Sequence, residues 1–251
     1  MGGYLSAVRL KRGEVPSFGR YPFSLPAVRG LDALRFHPRV TYFVGENGSG
    51  KSTLLEAVAV ALGFNPEGGG LGEVDFATRE SHSELHSYLE TRPPRVRYGF
   101  FMRTESFFNL ATAIEELSRE SWAAALPRKP IDYYGGRSLH EQSHGESFLS
   151  LFQHRLHGGL LVLMDEPEAA LSPLRQMSFL SILHQHVQGG AQFVIATHSP
   201  IVLAYPEAWI YRFDEEGIAR VEYEETEHYH VYRDFLQNRE LSLRVLLGEE
   251  E

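Results

Sequence analysis

The stretch from Gly45 to Thr53 constrains the fold of this chain most strongly. It matches the phosphate-binding pattern G-x-x-x-x-G-K-[S/T] in full. The β-rich run 39–44 predicts a strand that enters the stretch, and Ser52 to Leu62 predicts a helix that leaves it and stops at Gly63. The residues predicted to contact a nucleotide are Gly45, Glu46, Asn47, Gly48, Ser49, Gly50, Lys51, Ser52 and Thr53.

The residue types in this stretch fit the chemistry of a phosphate site. Glycines let the backbone wrap closely around a polyphosphate and turn several N–H groups inward. The N-terminus of the following helix adds partial positive charge at the same point. Lys51 is expected to reach the β- and γ-phosphates, and the Ser52 hydroxyl to ligate Mg²⁺. Lys51 is one of only three lysines in the chain, which argues against a chance match.

Composition excludes several other kinds of site. The 251 residues carry a net charge of −9, which argues against a broadly basic nucleic-acid surface without excluding a local patch. The chain has no cysteine, so disulfides, thiol catalysis and cysteine-ligated zinc are excluded. No run of about 18 apolar residues predicts a membrane span, and the N-terminus lacks the order of a signal peptide. A cytoplasmic location is therefore expected.

Strands and helices are predicted to alternate along most of the chain, which favours an α/β fold with a mainly parallel core sheet. The apolar runs 160–164 and 193–196 are typical of buried central strands. A hairpin over 209–224 is expected to add an antiparallel β portion. We predict a single domain over residues 1–251, in which 106–158 form a small helical subdomain.

Two carboxylates follow one of the predicted buried strands. Asp165 and Glu166 come directly after the run 160–164, and ligands of open α/β sheets gather at the carboxyl ends of the strands. Asp165 is predicted to bind Mg²⁺, directly or through water. Glu166 is placed to orient or deprotonate an attacking water. The alternative is an acidic strand end that faces solvent, which a complete phosphate loop in the same chain disfavours.

Two shorter patterns allow both a structural and a functional interpretation. Ser143 and Glu146 fit a capping box at a helix start, while Gly145 leaves that helix N-terminus bare enough to face a phosphate. His198 follows the strand 193–196, where it could hydrogen-bond a γ-phosphate or be satisfied locally. His228, with its neighbour at 230, is predicted to be a solvated helix start rather than a metal site, because no third ligand accompanies it.

Taken together and in order, these motifs resemble an ATP-binding-cassette (ABC) type ATPase of the P-loop nucleotide hydrolase class. The phosphate loop, Ser143 to Glu146, the Asp165–Glu166 pair and His198 come in the order of that family, and 168–172 match the position of its D-loop. The resemblance covers about residues 36–205. The Ser-x-Gly-Glu signature is most similar to short soluble bacterial ATPases with RecF-like and overcoming-lysogenization-like motifs.

The resemblance implies further roles. Family members act as head-to-tail dimers with ATP between the subunits, so Ser143 and Gly145 would contact the γ-phosphate bound by the other subunit. Lys51, Glu166 and His198 would be the catalytic residues, and Ser52 and Asp165 the Mg²⁺ ligands.

Two further family positions stay open between candidates. Glu105 is the candidate for the metal-contacting Q-loop position, with Arg103 as its competitor. Tyr21 or Phe23 is expected to stack on adenine, from a rigid extended stretch over 21–26.

Three functions remain open at this level. The first is a soluble, Mg²⁺-dependent ATPase that acts as an ATP-driven dimerisation switch. The second is an ATP-gated clamp for nucleic acid or a partner protein, and the acidic balance favours a protein. The third is the ATPase subunit of a membrane transporter, which is disfavoured because the transporter-type signature and glutamine are absent.

Overall fold

The computed structural model describes residues 3–71, 82–93, 96–104, 107–120, 129, 131–132, 136, 144–156 and 158–248. The strands are β1 Ala7–Leu10, β2 Ala33–Arg35, β3 Val40–Gly45, β4 Gly69–Gly70, β5 Leu89–Arg92, β6 Gly99–Arg103, β7 Leu161–Asp165, β8 Gln192–Ala196, β9 Trp209–Asp214 and β10 Gly217–Val221. The α-helices are α1 Pro26–Arg29, α2 Lys51–Leu62, α3 Phe107–Arg119, α4 His144–Arg155, α5 Pro173–Gln188, α6 Pro200–Leu203, α7 Glu227–Gln237 and α8 Arg239–Leu247. The described residues therefore form an α/β fold, as predicted.

A mostly parallel sheet forms the centre of the molecule, with strand order β10-β9-β3-β8-β7-β6-β4. The five strands from β9 to β6 in that order pair in parallel, and β10 and β4 add antiparallel edges. A smaller antiparallel sheet has the order β2-β1-β5. The predicted parallel core and antiparallel portion are both confirmed.

Both faces of the central sheet are buried, as the continuous apolar strands require. On one face, side chains such as Tyr42 and Val162 pack against α4, α5 and α6 through Phe148, Phe152 and Phe179. On the other face, Phe43 and Leu163 pack against α2 and the smaller sheet. Because side chains pack on both faces, this core holds the central strands in place.

The carboxyl ends of four neighbouring strands lie side by side. Phe43 of β3 is in register with Ala196 of β8, and Ala196 is in register with Asp165 of β7. Asp165 in turn is in register with Arg103 of β6. The segments that follow these strands therefore emerge along one edge of the sheet, where open α/β sheets bind ligands.

One local prediction was wrong. Residues 21–26, expected to be extended, form turns that lead into α1 at Pro26. Strand β6 begins at Gly99, where a Cβ would lie 2.5 Å from the Phe64 ring and 2.9 Å from the Leu161 carbonyl oxygen. A glycine there lets β6 pass close to its neighbours, a constraint that the local pattern does not carry.

Candidate nucleotide-binding site

The loop between β3 and α2 has the backbone that its glycines predicted. Gly45 has a φ of 147°, and a Cβ there would lie 2.2 Å from the carbonyl oxygen of Phe213 on the neighbouring strand β9. Gly48 has a φ of 80° with open space where a Cβ would be. The first glycine thus permits close strand packing, and the second leaves room beside the loop.

Lys51 begins α2 and is 4% exposed. Its ammonium donates to the carbonyl oxygens of Gly45 at 2.7 Å and Glu46 at 2.8 Å. Burial lowers the pKa of Lys51, and the nearby carboxylates of Glu166 and Asp165 oppose that shift. The charged side chain is therefore held inside the curve of the loop by weak neutral acceptors that a phosphate oxygen could replace.

Ser52 and Asp165 connect the loop to the next part of the sheet edge. The Ser52 hydroxyl donates to Asp165 Oδ1 at 2.9 Å, across 113 residues of sequence. Two oxygens of these types at such a distance fit the hard-cation chemistry of Mg²⁺. Ser49 Oγ is buried in the loop without a hydrogen-bond partner among the described residues. A buried hydroxyl without a partner, in a glycine-rich loop at a helix N-terminus, fits a bound polyphosphate.

Glu166 occupies a strained backbone position. Its φ of 49° and ψ of 53° lie in the left-handed region, and Glu207 is the other described non-glycine residue with a positive φ. Its N–H donates to the Ala196 carbonyl at 2.9 Å, which ties the end of β7 to the end of β8. Strain of this kind costs about 1–3 kcal/mol and concentrates at functional sites. Thr104 holds the same turn by donating to the Glu166 carbonyl at 2.7 Å.

His198 follows β8, and a hydrogen bond from its backbone N–H holds it in place. Its N–H donates to Glu168 Oε1 at 2.5 Å, and burial raises the pKa of that carboxyl. Ser199 then caps α6 by accepting from the backbone N–H groups of 201 and 202. The Nε2 atom of His198 lies 3.7 Å from Glu166 Oε1. Burial, and next the Lys51 charge, lower the pKa of His198, which favours the neutral ring.

His228 belongs to this site, and the expectation that it is merely a solvated helix start was wrong. It is half-buried, and its Nε2 lies 3.2 Å from Nδ1 of His198. The Thr226–Glu227 run marks a helix start in the sequence, but no sequence signal connects that start with His198. Strand β10 runs away from the carboxyl edge of the sheet, and the segment between Val221 and α7 brings the chain back to that edge, where the contact forms.

Two cavities border the loop. One of about 470 Å³ lies between Glu46–Ser49 and the β9–β10 turn, with His228 at its wall. The other, of about 430 Å³, is lined by Asn47, His198 and His228, together with Val231 and Tyr232 of α7. Open space therefore adjoins the phosphate loop on the side of the two histidines.

The structure also bears on the two family positions for which the sequence left alternative candidates. Arg103 pairs with Glu56 at 2.8 Å on α2, so its guanidinium is engaged away from the loop. Phe23 is fully buried against Tyr88 and cannot stack on an incoming base, whereas Tyr21 is 62% exposed with its hydroxyl 3.4 Å from Thr53 Oγ1. Burial of Phe23 leaves Tyr21 as the aromatic placed beside the loop.

Gly145 has a packing reason of its own. It is buried at the start of α4, where a Cβ would lie 2.9 Å from the Ala170 carbonyl oxygen and 2.6 Å from Arg175 Nη1. Glu146 pairs with Arg175 at 3.0 Å. Ser143 and Glu105 lie outside the described residues, and so does the proposed capping box.

Two family models match the chain. An "AAA domain" model matches residues 18–106, which include the phosphate loop. A second model, "AAA domain, putative AbiEii toxin, Type IV TA system", matches residues 147–204, which include the two carboxylates and His198. The two matched segments therefore contain the halves of the site that meet at the sheet edge.

Curated relatives carry ABC ATP-binding names. The hemin import ATP-binding protein HmuV of Pseudomonas fluorescens is 28% identical over 171 residues, which cover 62% of this chain and 64% of that protein. HmuV of Roseobacter denitrificans is 27% identical, with 69% of this chain and 70% of that protein covered. The macrolide export ATP-binding/permease protein MacB of Shigella dysenteriae is 26% identical over 72% of this chain but 29% of its own length. The chain thus spans less than two thirds of the Pseudomonas relative.

A solved structure shares the fold. It is described as "An inward-facing conformation of a putative metal-chelate type ABC transporter", with a TM-score of 0.50, 18% identity, and coverage of 92% of this chain and 88% of that one. The chain has the α/β fold of ABC-type P-loop ATPases, and its loop, sheet order and relatives support a resemblance to that class. At family level, that class hydrolyses ATP with Mg²⁺ and commonly dimerises. Among the described residues, every helix is too short or too polar to cross a membrane.

Proposed function

We propose that this chain is a Mg²⁺-dependent ATPase whose cycle of ATP binding and hydrolysis closes and opens a dimer. The observation that carries the proposal is the meeting of five side chains at one sheet edge. Lys51 and Ser52 come from α2, Asp165 and Glu166 from the end of β7, and His198 from the end of β8. These are the residue types that phosphoryl transfer to water uses.

Each residue has a task that its position supports. The loop amides and Lys51 bind the β- and γ-phosphates, and Lys51 exchanges its two loop carbonyls for phosphate oxygens. Ser52 and Asp165 would hold Mg²⁺, which neutralises charge on the phosphate oxygens when it is bound. Glu166, beside His198, orients or deprotonates the water that attacks the γ-phosphorus in line with the leaving ADP oxygen.

Dimerisation completes the proposed site. Gly145 and Ser143 of a second copy would face the γ-phosphate, and their helix N-terminus would add partial positive charge. The head-to-tail arrangement is supported by the family resemblance and by the open space beside the phosphate loop. Glu105 is proposed as the Q-loop contact with the metal, since Arg103 is paired with Glu56.

The experiment is a comparison of Glu166→Gln with the wild type. ATP turnover should fall by about 10²–10⁴-fold, which is the range for loss of a general base. ATP binding should persist, and light scattering should show a stable dimer with ATP. Glu216→Gln, an exposed change in the hairpin turn, is the matched control. Unchanged turnover in Glu166→Gln would remove Glu166 as the base.

A second candidate function is the ATPase subunit of a transporter. The names of the HmuV and MacB relatives favour it. It predicts that the tagged chain co-purifies with a membrane subunit from detergent extracts of its own cells. The partner-clamp alternative predicts instead a soluble partner retained by Glu166→Gln only with ATP, or nucleic-acid binding that depends on both ATP and salt.

A further inference from the structure

The ring of His228 makes a specific contact that the proposed chemistry does not yet use. His228 is the second residue of α7, and Thr226 caps that helix by accepting the N–H of Tyr229 at 3.3 Å. Thr226 is itself 1% exposed, so the start of α7 is anchored to the body of the protein. From this position His228 Nε2 reaches His198 Nδ1 at 3.2 Å, with ring centroids 5.3 Å apart.

The two rings determine each other's proton position. A neutral imidazole has one N–H donor and one acceptor nitrogen, so one ring must donate in the contact and the other must accept. If His228 Nε2 donates, His198 Nδ1 accepts, and the proton of neutral His198 lies on Nε2. If His198 Nδ1 donates instead, its Nε2 becomes an acceptor.

The choice of tautomer matters because of the groups that surround the two ring nitrogens outside this contact. His198 Nε2 and His228 Nδ1 are both buried without hydrogen-bond partners among the described residues. His198 Nε2 faces Glu166 Oε1 at 3.7 Å, on the side of the Lys51 ammonium. The Lys51 ammonium donates to the loop carbonyls. The Glu166 carboxylate and a bound γ-phosphate are acceptors, so the useful state of His198 Nε2 is a donor.

We propose that His228 is a positioning residue that donates from Nε2 to His198 Nδ1 and so keeps the His198 proton on Nε2, where it can reach the γ-phosphate. The inference rests on the proposed function of His198. It also links α7 to the site. Loss of the γ-phosphate removes a partner of His198 Nε2, and this changes the hydrogen bond between His198 and His228. Partners behind a histidine commonly fix its tautomer in this way.

The kinetic test uses three variants of the full chain. His228→Leu removes the donor, and its kcat should fall by about 10-fold or more, in the range for an outer-shell partner. The KM for ATP should stay within about two-fold, because the loop amides and Lys51, which the variant leaves intact, supply most of the binding of the triphosphate. His228→Gln retains a donor at a similar reach and should recover kcat to within about three-fold of wild type. His230→Leu, an exposed histidine on the same helix, should match the wild type.

A spectroscopic test separates this inference from the proposed function. Nitrogen-15 NMR of histidine-labelled protein distinguishes the two neutral tautomers, with His198 assigned from His198→Gln. The expected result is the Nε2–H tautomer of His198 in wild type and in His228→Gln, and its loss in His228→Leu.

Each outcome of these tests bears either on the role of His228 or on the proposed function. An Nδ1–H tautomer in wild type, or equal kcat in His228→Leu and His230→Leu, would overturn the role of His228. A wild type without ATP turnover would overturn the proposed function, and the tautomer measurement would still decide whether His228 positions His198. If His228→Leu proves unstable by circular dichroism, the His228→Gln and wild-type spectra carry the decision.

Discussion

Two helices bring side chains to the same site from very different surroundings. Helix α2 delivers Lys51 and Ser52, and most of its residues are buried between the central sheet and the small sheet. Helix α7 delivers His228, yet no residue of α7 is buried. The α2 side of the candidate site is thus fixed by the core, whereas the outer histidine depends on a cap and a few hydrogen bonds. Regions with few buried contacts open at low free-energy cost, so α7 is the side that can respond.

The largest expected effect comes from the core-anchored side. Lys51→Ala removes a buried cation from the loop, and ATP turnover should fall by about 10²–10³-fold, as for loss of a preorganised charged donor. ATP affinity measured by calorimetry should fall as well, because the lysine also binds the ground state. Lys11→Ala, a surface lysine near Ser87, serves as the control. Equal turnover in the two variants would show that α2 does not hold the phosphates.

The next expected effect is a difference in the free energy of unfolding between variants of the two helices. Leu54 of α2 is fully buried, so Leu54→Ala should lower the free energy of unfolding by about 2–5 kcal/mol. Leu236 of α7 is 74% exposed, and Leu236→Ala should change it by about 0.5 kcal/mol or less. Urea titration of both variants measures the difference. Similar losses would mean that α7 is covered in solution and that the contrast between the helices is wrong.

Capping gives a smaller effect confined to α7. Thr226→Ala removes a side-chain cap and should cost about 0.5–2 kcal/mol. Hydrogen exchange of the α7 amides should accelerate by the corresponding factor, while that of α2 should not change. Ser172→Ala at the start of α5 is the matched control, because Ser172 makes no cap hydrogen bond in the structure. Faster exchange throughout the chain would instead show that α7 unfolds together with the core.

The smallest expected effect is a loss of stability at acidic pH. Burial lowers the pKa of His198, and burial followed by the His198 ring lowers the pKa of His228. The unfolded chain therefore takes up these protons near the ordinary value of 6.5, and the folded chain only at lower pH. Stability from the neutral ring pair is complete above that value and declines as the pH falls below it. The melting temperature of wild type should drop more between about pH 7.5 and about pH 5.5 than that of a His198→Gln/His228→Gln double variant. Equal drops would contradict this linkage.

Local patterns in the sequence predicted the parts of the site that depend on nearby residues. The strand and helix that flank the glycine-rich loop, the strand before Asp165 and the hairpin that starts at Trp209 were all confirmed, with the second hairpin strand ending at Val221. Each rests on a pattern within about a dozen residues, such as alternating strand and helix periods. The positive φ values of the glycines shape the loop, and the strand register places the loop and the carboxylates at the same edge of the sheet.

The contacts that sequence reasoning missed are long-range. His228 meets His198 across 30 residues, because the segment after β10 brings the chain back to the carboxyl edge of the sheet. Phe23 was a candidate base-stacking residue, but the small antiparallel sheet and Tyr88 bury it. Arg103 was a candidate for the metal side, but Glu56 on α2 takes its guanidinium. In each case the decisive neighbour lies far away in sequence, and local periodicity carries no information about it.

The most direct measurement is a crystal structure of Glu166→Gln with ATP and Mg²⁺. We expect a triphosphate held by the main-chain amides of 45–53, with Ser52 and Asp165 on the metal. We also expect His198 Nε2 within hydrogen-bond distance of the γ-phosphate and a second copy closing over the nucleotide. A loop without nucleotide under saturating ATP, or Asp165 turned away from the metal, would contradict these expectations.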